Sequence, residues 1–164
     1  MQGGSLATEA GPLFFVTNTL GIITLTGVKT SMASDVLVSA AADRWGRQGS
    51  NGGHAVLIAD AMTLKGNLVC DEISSITATL KNGTTLTGIV KGAALAIDPT
   101  SKWSVTEDST IKSLAEIEGI SDFSITNIEG NGHQVSYDAN LAANQWLQGK
   151  TYTLAKGGQL VPSK

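Results

Sequence analysis

Short apolar triplets flanked by hydroxyl residues recur along the chain: Thr24-Leu25-Thr26, Thr63-Leu64-Lys65, Thr85-Leu86-Thr87, Ser104-Val105-Thr106 and Ser124-Ile125-Thr126. The spacing of their central residues fits a repeat of about 20 residues with a double step at the first gap. Side chains of a strand alternate between faces, so each central residue points one way and its hydroxyl neighbours the other. A turn signal follows each triplet, at Gly27, Gly66, Gly88, Glu107-Asp108 and Asn127, and another apolar residue comes next, at Val28, Leu68, Ile89, Ile111 and Ile128. A period of two with breaks every few residues predicts strands and argues against helix. Antiparallel sandwiches also have short strands at regular spacing, but the side-by-side match of the triplets favours a solenoid. The expected fold is all-β: a right-handed parallel β-helix of about five to six coils. Leu25, Leu64, Leu86, Val105 and Ile125 are expected in one buried column.

The same pattern sets the domain organisation. Residues 1–12 read as a disordered or N-terminal extension, 13–138 as the β-helix with a loop insertion at 43–53, and 139–164 as a C-terminal cap. In the cap, Ala139, Leu141, Ala142, Trp146 and Leu147 are spaced for a short helical turn ended by Gly149. A solenoid end exposes a strand edge and an apolar cross-section, so Trp146 and Leu147 are expected to cover the last coil. The other end offers only Phe14, Phe15 and Val16, and pairing of two copies across it is a route to a homodimer.

Composition narrows the partners. A length of 164 residues suits one domain. Charged residues are only 15%, and polarity comes from Thr, Ser, Asn and 19 Gly, which favours strands and turns. With 11 basic and 14 acidic residues the net charge is -3, so no footprint for nucleic acid or an anionic membrane is present. PLFFVTNTLGIITLTG is broken by Thr and Asn and makes no membrane span. MQGGSLATEAG lacks the regions of a signal peptide, so an export signal is expected outside this sequence, which reads as a fragment or mature segment. The single cysteine, Cys70 in LVCDEI, excludes an intrachain disulfide and reads as a small buried hydrophobe.

Candidate chemistry is sparse. DRWGRQGSNGG at 43–53 is too rich in Gly and Asn for a regular strand and reads as a projecting loop. Arg44, Trp45, Arg47, Asn51 and His54 form the candidate glycan-binding set, since loops on rigid scaffolds often carry function. The plain structural alternative is that Trp45 folds back over the solenoid end. Trp103, two positions before Val105, is expected to face the core. Asp98, Glu118 and Asp138 recur at one constant spacing that equals the local coil period, and are expected to stack about 4.8 Å apart if the register holds. Repulsion among them is relieved by turning into water, by binding calcium or by sharing a proton for work on a sugar. They are fallback catalytic residues and a weak calcium candidate; no other metal or cofactor is expected. Asp71 and Glu72 are adjacent and should face opposite sides. No GxSxG or HExxH occurs, and His54 and His133 lie in turns far apart along the chain, against nucleophile or zinc chemistry.

Taken together, FFVTNTLGIITLTG, VLVSAAADRWGRQGSNGGHAVLIADAMTLKGNLVCDEISSITATLKNGTTLTG, SKWSVTEDSTIKSL and GHQVSYDANLAANQWLQGKTYTL resemble the C-terminal part of a family of large bacterial surface β-helix proteins. These are adhesin-like and autotransporter-passenger-like, and are described as carbohydrate-binding-like. The resemblance covers residues 13 to about 154 and is most specific at 45–53 and 101–109. It implies a right-handed β-helix in a secreted or cell-surface setting and carries over no catalytic residue. Typical members have many more coils upstream. The expected function is an extracellular structural or glycan-contacting module, with a cell-surface carbohydrate as partner. A glycoside hydrolase acting through outward carboxylates is the alternative. Ice binding through the Thr and Ser pairs is the third reading, with Lys65 interrupting the ladder.

Overall fold

The computed structural model describes residues 1–47, 49–116 and 119–163. The chain is all-β with a large, mostly parallel sheet, plus one 3-10 helix among the described residues. Its strands fall into three rows. Row one runs through Phe14–Val16, Val36–Ala40, Asn67–Cys70, Val90–Ile97, Ser109–Glu116, Gln134–Asp138 and Gln159–Ser163. Row two holds Leu20–Thr26, His54–Asp60, Ser75–Lys81 and the C-terminal halves of Val90–Ile97 and Ser109–Glu116. Row three holds Thr63–Lys65, Thr85–Gly88, Lys102–Val105, Ser124–Glu129 and Tyr152–Ala155. From Asn67 to Glu129 the chain visits rows one, two and three in that order. Two pairs are antiparallel, Ile120–Ser121 with Ser124–Glu129 and Tyr152–Ala155 with Gln159–Ser163. A separate parallel ribbon joins Ser5–Thr8 to Lys29–Met32.

Alternation along each strand builds the core. In row two, Leu57, Ala78, Leu95 and Leu114 stack inward and are buried, while Val56, Thr77, Ala94 and Ser113 stack outward. In row three the buried column is Leu64, Leu86, Trp103 and Ile128. This corrects the expected triplet column. All five triplet centres are buried, but Leu25 belongs to row two opposite Ala59, Val105 lies opposite Gly88, and Ile125 lies opposite Leu154.

The cause is unequal turn length. Along row three the step from Leu86 to Trp103 is shorter than that from Leu64 to Leu86, and the next step, to Ile128, is longer than either. A fixed repeat therefore drifts out of register. The doubled first gap is one long excursion, since Leu25 pairs with Ala59 across the 43–53 loop.

Buried hydroxyls stitch the bends between rows. Thr84 is fully buried; its Oγ1 accepts from Met62 N at 3.1 Å and lies 3.0 Å from Ala59 O and 2.7 Å from Lys81 O as a donor. One layer on, Ser101 Oγ accepts from Thr84 N at 3.1 Å, and Ser109 Oγ accepts from Val90 N at 3.3 Å. These side chains satisfy bend amides that the strand ladders cannot reach.

Each end of row two is finished differently. At the C-terminal end the 3-10 helix Ala142–Leu147 lies where a sixth strand would pair. Asn144 Nδ2 donates to Lys112 O at 2.8 Å, Leu114 N donates to Asn144 Oδ1 at 3.1 Å, and Trp146 Nε1 donates to Leu114 O at 3.0 Å. Leu147 is buried beneath. At the other end, Met1 and Gly3 bond the last three residues of Leu20–Thr26, through Thr26 N to Met1 O, Gly3 N to Thr26 O and the Met1 ammonium to Thr24 O. Leu20 and Ile22 there are exposed. No helix is long and apolar enough to cross a membrane among the described residues.

Replacing Thr84 with Val keeps the volume but strands the Met62 amide away from water. A loss of about 1–3 kcal/mol of unfolding free energy is expected, read as a lower denaturant midpoint with unchanged m-value.

Candidate functional site

The 41–53 segment is held at its base, middle and exit. At the base, Ala42 N donates to Asp71 Oδ2 at 2.6 Å, and this bond is the main cause that holds the Asp71 carboxyl below its ordinary range. In the middle, Asn51 is buried. Its Nδ2 donates to Asp43 O and to Trp45 O, the latter at 2.6 Å, while its own backbone carbonyl accepts from Asn18 N at 3.1 Å. At the exit, Gly53 N donates to Ser74 Oγ at 3.0 Å. A Cβ on Gly53 would stand 1.9 Å from Val16 O, and one on Gly52 would stand 2.2 Å from Ile73 O. The Gly-Gly pair is thus required by close backbone approach.

This clasp presents Trp45 rather than hiding it. The indole is 61% exposed, so it does not fold back over an end, and the Arg44 guanidinium lies 5.1 Å from its ring centroid. The same loop holds a dent of about 400 Å³ lined by residues including Asp43, Arg44, Gly46 and Asn51. Arg47 is exposed and its carbonyl closes the turn with Ser50 N at 2.9 Å. His54 follows the loop as the first residue of a row-two strand, with Nδ1 2.9 Å from Ser75 Oγ. Arg44, Trp45 and Asn51 therefore form one unit, with Arg47 on the same loop and His54 at its exit.

Row two continues from this loop. Two outward ranks, Ile22-Val56-Thr77-Ala94-Ser113 and Thr24-Ile58-Thr79-Ala96-Ala115, contain no charge. Row three differs. There Thr85 and Thr87 sit between layers bearing Lys65 and Lys102, and Ser104 lies opposite Glu129 rather than Ser124. The hydroxyl pairs of the triplets do not form one ladder, because the same drift in register that scattered their centres scatters them.

The three acids do not form the expected column. The layer step from Lys91 to Thr110 is much shorter than the next one, from Thr110 to Ser136, so equal spacings along the chain land in different rows. Asp98 follows row two, whereas Asp138 pairs with Ser163 in row one; Glu118 lies outside the described residues. Asp98 is engaged by its own bend and by that of the neighbouring layer. Its carboxylate accepts from Asn82 N at 2.6 Å, Ser101 N at 2.8 Å, and Thr100 N and Oγ1 at 2.9 and 2.8 Å. Desolvation raises its pKa, but the bonds from Asn82, Ser101 and Thr100 outweigh this and hold it at about 2. Asp138 accepts from Asn140 N at 2.9 Å in a similar turn. No three His, Cys, Asp or Glu side chains gather as a metal site among the described residues.

Sequence reasoning missed a second exposed aromatic. Phe123 is 54% exposed on the tight turn between Ile120–Ser121 and Ser124–Glu129, with Lys150 Nζ 4.7 Å from its ring centroid. Asp122 and Phe123 both have positive φ, 46° and 65°, as a two-residue hairpin requires. Ser-Asp-Phe-Ser was the available signal, weakened by the lack of glycine. Trp103 is fully buried, with Nε1 donating to Gly88 O at 3.0 Å. Cys70 is half-buried, and burial pushes its thiol pKa up, which opposes a nucleophilic role.

Because the folded pKa of Asp98 lies below its unfolded value near 3.8, its contribution is full above that value and is lost as pH falls through about 2. In thermal melts, the stability gap between the parent chain and Asp98→Asn should therefore narrow between about pH 4.5 and about pH 2. Comparison with protein-family models, curated proteins and solved structures returns no match to this chain.

Proposed function

We propose that the chain is a right-handed parallel β-helix acting as a non-catalytic, glycan-contacting module of an exported bacterial surface protein. The repeated order of rows supports the winding, and parallel crossovers are almost always right-handed. Row one carries strands from Phe14–Val16 to Gln159–Ser163, which corresponds to six turns. The surface setting rests on the family resemblance carried by residues 45–53 and 101–109.

The presentation of Trp45 is the observation that carries the glycan reading. An exposed indole normally costs free energy in water, and here backbone and side-chain bonds hold its loop open instead of letting it collapse. A rigid aromatic face with a polar edge suits a sugar ring, whose CH groups stack while its hydroxyls seek hydrogen bonds. Asp43, Arg44 and Asn51 line the dent on the same loop. The two uncharged outward ranks of row two extend the contact for a long, neutral polysaccharide. The bonds that hold Asp98 speak against it as the acid of a hydrolase, since a carboxyl with pKa about 2 is a poor proton donor near neutrality.

The test is calorimetric titration of the intact chain with soluble plant and bacterial oligosaccharides, with released reducing ends measured in parallel. Binding without release is expected. Trp45→Ala should weaken it at least tenfold, about 1.4 kcal/mol. Asn51→Ala, which retains the indole but opens the clasp, should weaken it less. Binding unchanged by Trp45→Ala would refute the assignment, and sugar release would favour the hydrolase.

A further inference from the structure

Row three contains a gap that the loop site does not explain. Among the described residues, Lys29–Met32 pairs only with Ser5–Thr8, and Thr63–Lys65 pairs only with Thr85–Gly88, although the two inner strands approach within 8 Å between Cα atoms. The segments are joined on both sides of the gap, by Gly27 N to Asp60 O at 3.4 Å and by Asn67 N to Asp35 O at 2.7 Å. Between these ties the upper strand splays away, leaving a cleft of about 460 Å³.

Backbone groups outside the ladders face this cleft. Lys29 N and Ala33 N bond the ribbon partner at Gly4 O and Thr8 O, so the alternate residues Thr30 and Met32 turn their amides and carbonyls the other way. Similarly, Met62 O and Gly66 N bond the Thr85–Gly88 layer, so Lys65, which lines the cleft, turns its amide and carbonyl toward it. The cleft continues over the bends at Gly66 and Gly88 to Glu107, spanning layers that stack about 4.8 Å apart. Its side chains include the hydroxyls of Thr30, Thr87 and Thr106, one ammonium at Lys65, and the carboxylates of Asp35 and Glu107.

From this cleft we infer a second saccharide site, specific for a short, uncharged oligosaccharide. It rests on the glycan reading above and extends it to a surface that the Trp45 loop does not include. An inserted peptide strand would need its flanking strands about 9.6 Å apart, twice the inter-strand spacing, and is excluded by the approach within 8 Å. Interleaved donors and acceptors match sugar hydroxyls, which both donate and accept. Two carboxylates against one ammonium disfavour an acidic sugar.

The experiment is amide chemical-shift mapping on the intact, isotope-labelled chain. The probes are cellotriose, mannotriose and maltotriose, with trigalacturonate as the acidic control. Saturable shifts of the Thr30, Met32 and Lys65 amides are expected with at least one neutral trisaccharide at up to about 20 mM, with weaker response to the acidic one. The double variant Thr87→Val, Thr106→Val should raise the apparent Kd roughly threefold or more. A native-like amide spectrum of the variant keeps folding separate from binding. Shifts confined to residues 42–54, or an equal response to trigalacturonate, would overturn the cleft assignment while leaving the Trp45 reading standing. No shift in either region would overturn both.

Discussion

Pairing backbone amides between layers is the constraint on which the rest of this structure depends. A strand row satisfies its own peptide groups by stacking, but each bend turns its amides away from the ladder, and many bends are too buried for water to reach. Thr84, Ser101 and Ser109 supply the missing partners from one layer to the next. Asn144 and Trp146 do the same where row two runs out of strands. The apolar columns contribute most of the stabilisation, whereas these polar side chains determine which layer lies on which.

Once bends are secured individually, their lengths are free to vary. Layer steps in row three differ from one another without breaking the buried column of Leu64, Leu86, Trp103 and Ile128. The same freedom admits the 43–53 insertion between row-one and row-two strands. Its ties to Asp71, Ser74 and Asn18 belong to the scaffold, so Trp45 is positioned by the same bonding that stacks the layers. The gap in row three is the complementary case, in which two layers are tied on both sides and stand apart between.

Local alternation was legible in the sequence: apolar centres flanked by hydroxyls lie inside and the Gly-rich stretch is a loop, but of the expected turn residues only Gly27, Gly66 and Glu107-Asp108 lie between strands, whereas Gly88 and Asn127 lie within them. Those features depend on side-chain direction within a few residues. The predicted burial of Trp103 has the same origin, since two residues on one strand with even spacing share a face. For the candidate site, DRWGRQGSNGG marked the loop, but Asn51 as its clasp and the contacts demanding Gly52 and Gly53 involve Val16, Asn18 and Ile73, far away in sequence.

Register was decided only by the tertiary structure. Which residues stack depends on every intervening bend length and on where its amides find partners, and those quantities are not periodic. Hence Leu25 left the triplet column, the hydroxyl pairs failed to align, and Asp98 and Asp138 went to different rows despite equal spacing. The sequence by itself determined that this chain makes short strands with one buried face and a glycine-rich excursion. The tertiary structure decided which faces meet, because cross-layer hydrogen bonds connect residues whose separation no local pattern records.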